Sequence, residues 1–224
     1  MTMPHPTAQI TRIAFPEIAL RMRDAHKLRG YFGNLFKEQS PLLSNHFSDG
    51  TLRYRYPLIQ YKVVDKIPML VGIGEGGDLL VELFLKVTSL DIGGNHIPVL
   101  SKNINRQEYT LGVDSDLHEY RFATSWMALN QENYQKYNRY SDDEKECQLK
   151  QILKRNVLNV YSVFRHKEPE QIMVNLNVNP HPLKFKNQNL LGFSGGFVSN
   201  ALIPDYLGLG KSPSRGFGTI VHQK

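Results

Sequence analysis

His46 is the side chain best placed by its neighbours for proton transfer. It lies in the polar loop Pro41–Gly50, with Lys37 before it and Tyr54 after it. An imidazole titrates near neutrality and can give or take a proton. A lysine can stabilise an anionic phosphate as it becomes crowded in a transition state. A single loop histidine is more often an ordinary surface residue, and only the company of Lys37 and Tyr54 sets this one apart. The other seven histidines are scattered, with no HxxxH or CxxC spacing, so no catalytic metal and no cofactor are expected.

A second group of residues closes the chain. Gly208, Gly210, Gly216 and Gly218 are interleaved with Lys211, Ser212, Ser214 and Arg215, and strand-like Phe217–Val221 follows. Glycine allows positive φ and close approach of the backbone to a ligand. Successive amides in such a loop form an anion-binding concavity, and Lys211 and Arg215 add charge. Phosphate is the simplest ligand for that chemistry. The plainer alternative is a glycine-rich turn before a final edge strand.

Three further motifs carry less. Gly72-Ile73-Gly74-Glu75-Gly76-Gly77 has the G-x-G-x-x-G form of dinucleotide sites, but the strand before it belongs to a hairpin and no run of βα units follows, so a structural turn is expected. Gly30-Tyr31-Phe32-Gly33 matches the GXXG of KH modules but falls inside a helical pattern. Arg215–Val221 resembles the core of an RNA-recognition strand, but it stands at the wrong place in the order of elements.

Composition narrows the classes. With 41% hydrophobic and 21% charged residues, the 224-residue chain suits one large or two smaller globular domains. A net charge of +6 favours a polyanionic partner. A single cysteine, Cys147, rules out a disulfide framework and suits a reducing cytoplasm. Its surroundings read as a helix surface without an adjacent histidine, so a catalytic thiol is not expected. No apolar run is long enough for a membrane span, and no signal peptide is expected.

The elements that must position these residues follow from periodicity. Residues 8–18 alternate as a strand ended by Pro16. Ala25, Leu28, Phe32 and Leu35 recur at helical spacing. Gly30 and Gly33 weaken that helix, which suggests that another element or a backbone phosphate packs close there. Arg23, Lys27, Tyr31 and Lys37 fall on its exposed side. Thr51–Pro57 alternates arginine and tyrosine. Residues 58–64 and 67–73 form a hairpin, 78–86 a short helix and 87–92 a strand. Residues 93–116 read as a polar boundary. A strand over 118–129 and a long helix capped by Ser141 and Glu144 come next, then strands at 172–178, 183–186 and 190–198. The fold expected is α+β: two tandem ferredoxin-like (RRM-like) βαββαβ domains, 1–106 and 107–224, the second carrying the glycine-rich loop.

His46, the strand Tyr54–Lys62, Gly72–Gly76, the block Leu129-Asn130-Gln131-Glu132-Asn133-Tyr134 and the glycine-rich tail occur in this order. Together they resemble the CRISPR-associated endoribonucleases that cut precursor CRISPR RNA at its repeats, in particular the b-type subfamily of the repeat-associated ferredoxin-like superfamily. The resemblance implies metal-independent cleavage, with the ribose 2′-hydroxyl attacking the neighbouring phosphate to leave a cyclic phosphate and a 5′-hydroxyl. It assigns catalysis to His46 with Lys37 and Tyr54. Contacts to the RNA fall to Arg53, Arg55, Gly208, Gly210, Lys211, Ser212, Arg215 and Gly216. The partner implied is CRISPR repeat RNA; other CRISPR effector-complex subunits and a second copy of the chain are further candidates. Ser44 stands where relatives often carry a second histidine. A non-catalytic RNA-binding subunit of a ribonucleoprotein is the alternative.

Overall fold

Asp65 and Lys66 turn the chain back on itself with φ of 50° and 68°, the backbone of a two-residue type I′ hairpin. That turn registers β2 (Ile59–Val64) against β3 (Ile67–Ile73), Val64 facing Ile67 and Ile59 facing Gly72. The computed structural model describes residues 6–35, 56–185 and 188–223. Their contacts divide into two units. One takes in Ala8–Tyr109 together with Pro213–Gly216, and the other is built mainly from Thr110–Ser212 and the residues from Phe217 onward.

In the first unit, β3 also pairs with β1 (Thr7–Ala14), and β6 (Asn103–Thr110) completes a sheet of order β2-β3-β1-β6. Numbered as the sheet's own first to fourth strands, that is 4-1-3-2, the ferredoxin-like order. Helices α1 (Ala25–Leu35) and α2 (Glu75–Phe84) supply Leu28, Phe32, Leu80 and Leu83 to a core with Ile13, Ile59, Tyr61 and Leu70. Burying each such side chain contributes about 1.5–3 kcal/mol.

The strand expected at 87–92 is not the sheet's fourth. It is β4 (Ser89–Ile92), and Gly93 and Gly94, at φ 65° and 85°, fold it onto β5 (Asn95–Pro98) as a separate two-stranded ribbon. The fourth strand comes from the stretch expected to be a boundary. Nearly every residue of β6 is exposed, so no apolar alternation marks it.

The second unit repeats the order. It contains β7 (Gly112–Phe122), α3 (Gln131–Tyr137), α4 (Asp142–Val163), β8 (Val174–Phe185), β9 (Gln188–Leu202) and β10 (Ile220–His222). The sheet runs β10-β7-β9-β8, again 4-1-3-2. The expected capping box starts α4: Ser141 Oγ accepts from the Glu144 N–H, and Glu144 accepts from the Ser141 N–H at 2.8 Å. Two expectations change. The strands foreseen at 172–178 and 183–186 are one strand, β8, because it lies at the sheet edge, where Pro180 and Pro182 are tolerated. The second helix of a βαββαβ unit is missing among the described residues. Between β9 and β10 there is only a 3-10 turn, Pro213–Arg215. No helix among the described residues is long and apolar enough to cross a membrane.

Candidate nucleic-acid interface

His46, Lys37, Tyr54, Arg53 and Arg55, with Ser44, all lie outside the described residues. What the structure places is the glycine-rich tail, with Arg29 and Lys62 of the first unit.

The tail divides between the two units. Pro213–Gly216 groups with the first, where Gly216 (φ 87°) is pressed so close that an added Cβ would lie 2.8 Å from the Ala25 Cβ and 3.1 Å from the Tyr61 carbonyl oxygen. Glycine is required there on both counts. The turn presents Arg215 to Arg29, a half-buried residue of α1. The Arg29 guanidinium has its pKa lowered, first by burial and then by the charge of Arg215. Beneath them, on β2, Lys62 is fully buried and its pKa is pushed down to about 7 by that burial. Burial raises the pKa of the adjacent Tyr61 hydroxyl.

Gly208, Gly210, Lys211 and Ser212 belong to the second unit. The tail's amides are largely engaged. The N–H groups of Leu209, Lys211 and Gly218 donate to the carbonyls of Gly218, Met127 and Ser125, each at 2.9 Å, and the Gly216 N–H donates to Pro213. Gly208 and Gly216 are buried. These glycines therefore shape the loop. An added Cβ on Gly210 (φ 86°) would stand 2.7 Å from the Met127 carbonyl and from Trp126 Nε1. Of the tail's polar side chains, Lys211 is exposed, and Ser212 and Arg215 are half-buried.

Two of the three further motifs resolve into packing. Gly76 lies where a Cβ would be 2.5 Å from the Leu58 carbonyl oxygen, and Gly77 where it would be 2.6 Å from Thr11 Oγ1. Gly72, Gly76 and Gly77 thus let α2 lie on the sheet, with no room for a pyrophosphate. Phe217, the aromatic of the RNA-recognition-like string, is buried, and only Ile220–His222 forms a strand, at the sheet edge. Around Gly30 and Gly33 no described atom lies within 4 Å of an added Cβ, so the close packing expected there is absent among the described residues.

Residue patterns alone did not single out Arg29 or Lys62. Arg29 sits at the border of the α1 apolar stripe. Lys62 carries the one visible signal, a lysine inside a strand that is buried along its whole length.

Comparison with known families settles the class. The Cas6b N-terminal domain matches residues 7–110, and the Cas6b C-terminal domain matches residues 112–223. The chain belongs to the Cas6b family. It is similar to a crystal structure of Cas6b at 34% identity and a TM-score of 0.93, covering 97% of this chain and 100% of that one. A second structure, described as the CRISPR RNA processing endoribonuclease Cas6b, matches at 33% identity and TM-score 0.80, again over 97% and 100%. The uncharacterized protein MJ0978 of Methanocaldococcus jannaschii is 30% identical over 141 residues, 62% of this chain and 96% of that protein. A type IV Cas6 crRNA endonuclease, Csf5, shares the fold at 12% identity and TM-score 0.63, over 98% of this chain and 100% of its own. The two sheets of order 4-1-3-2 are the tandem ferredoxin-like architecture of the Cas6 proteins.

Proposed function

We propose that this Cas6b protein is a metal-independent endoribonuclease that cuts precursor CRISPR RNA within its repeats. The observation that carries the proposal is the match to Cas6b proteins over 97% of the chain, including one described as a CRISPR RNA processing endoribonuclease. The ribose 2′-oxygen attacks the adjacent phosphorus. A bond from phosphorus to the 2′-oxygen forms and the bond to the 5′-oxygen breaks. The 2′ proton leaves to a base and the departing 5′-oxygen takes up a proton, giving a cyclic phosphate and a 5′-hydroxyl. His46, in the N-terminal domain, moves one of these protons, with Lys37 and Tyr54 stabilising the phosphate. Arg53, Arg55, Lys211, Ser212 and Arg215 hold the strand, and Gly208, Gly210 and Gly216 set the loop that presents the last three. Arg29, whose guanidinium lies within the field of Arg215, joins them. Phosphate contacts of this kind set affinity, and base or shape contacts choose the repeat.

Ser44 favours one second reading. If a single histidine is insufficient, the protein binds repeat RNA without cutting it, as a ribonucleoprotein subunit. Incubating repeat RNA with the wild-type protein in EDTA separates the two, since a product with a cyclic phosphate end appears only under the first.

A further inference from the structure

Leu129, Asn130, Gln131 and Tyr134 form one wall of an open cleft of about 770 Å³ in the second unit. That volume lies within the roughly 300–1,000 Å³ of sites that enclose small ligands. Leu129 and Leu191 give the cleft apolar surface, and Tyr134, 44% exposed, offers an aromatic face. Asn130 caps α3 by accepting the Asn133 N–H on Oδ1 at 2.7 Å. That bond fixes the orientation of its amide and leaves the NH2 as the group that can still donate. At the same cleft stand Lys211 and Ser212.

The cleft is held in shape from both sides. Trp126 and Phe193 exchange backbone hydrogen bonds at 2.8 and 2.9 Å, which ties the segment before Leu129 to β9. The Lys211 N–H donates to the Met127 carbonyl at 2.9 Å, which ties the tail to the same segment. An aromatic face, apolar surface, one oriented amide donor and a cation beside a hydroxyl match the parts of a single unpaired nucleotide. The base stacks, its edge accepts a hydrogen bond, and its phosphate meets the lysine. Within a paired A-form helix the bases are stacked on one another, so a base face is open only at the helix ends.

We infer that this cleft is a base-selective pocket for one unpaired nucleotide of the bound RNA, with Tyr134 as the stacking platform and Asn130 reading an acceptor on the base edge. The inference rests on the RNA reading above and adds a place where sequence is read.

The test uses the full-length protein and the repeat RNA transcribed from the CRISPR array of the source genome. The cleavage position is first mapped with the wild type and then blocked by a 2′-deoxy nucleotide. Affinity is measured for a set of these RNAs, each with one abasic position. Tyr134→Ala is expected to weaken the intact RNA about ten- to hundred-fold, and Tyr134→Phe to restore it. At one position the abasic RNA should bind the wild type as weakly as Tyr134→Ala binds intact RNA, with no further loss when the two changes are combined. Asn130→Ser keeps the cap acceptor but lacks the amide donor, so it should reduce discrimination among bases at that position alone. Tight wild-type binding with no position coupled to Tyr134 would overturn the pocket and leave the RNA reading standing. Failure of the wild type to bind the repeat RNA would overturn both.

Discussion

Gly216 rests on Ala25 with no space for a methyl group between them: an added Cβ would lie 2.8 Å from the Ala25 Cβ, at a backbone φ of 87°. The position of Arg215 therefore depends on its neighbour having no side chain. Gly216→Ala is expected to destabilise the protein by about 1–3 kcal/mol and to weaken RNA binding beyond what lost stability explains. Thermal unfolding and RNA affinity measured on the same preparation check this. Unchanged affinity in a folded variant would dissociate the turn from the ligand.

Arg29 and Arg215, each within the other's field, are expected each to meet a phosphate in the complex. Replacing either with glutamine is expected to weaken binding to all single-stranded RNAs alike. Each change should also reduce the slope of log affinity against log salt by roughly 0.7. A titration series from low to high salt reads both effects.

Lys62 gives a pH signature in stability. Its folded pKa is about 7 against an ordinary 10.5. Below the lower value both states hold the proton and the burial penalty is complete. Between the two values the unfolded chain holds a proton that the folded chain lacks. Stability should rise with pH across that window by about 1.4 kcal/mol per unit. Lys62→Met is expected to remove that rise, as shown by urea unfolding at several pH values.

Gly76 separates packing from cofactor binding. A Cβ there would sit 2.5 Å from the Leu58 carbonyl oxygen, which already accepts the Ile73 N–H at 2.8 Å. Backbone on both sides has little freedom to move. Gly76→Ala should therefore lower the urea midpoint by the equivalent of about 1–3 kcal/mol, with no nucleotide bound before or after.

Much of this fold was legible because its core elements carry strong periodic signals. The β2–β3 hairpin, α1 and the Ser141–Glu144 cap were each readable from a handful of residues. β6 was not: Asn103–Thr110 shows water nearly every side chain, so tertiary pairing alone makes it a strand. β8 was split in two by Pro180 and Pro182, whose tolerance depends on an edge position that no local pattern reveals. The tail was recognisable as a glycine-rich basic loop. Its division between two units and the engagement of its amides arise from contacts far along the chain, such as Gly218 to Ser125 and Lys211 to Met127. Arg29 escaped notice for a related reason, since its significance lies in a partner 186 positions later.

The central claim is that His46 moves a proton during cleavage of repeat RNA. The direct measurement is the single-turnover cleavage rate in EDTA for the wild type and for His46→Ala, with RNA affinity measured alongside. The expected result is a wild-type product ending in a cyclic phosphate and a loss of about 10²- to 10⁴-fold in rate for the variant at unchanged affinity. Cleavage by His46→Ala at the wild-type rate would contradict it.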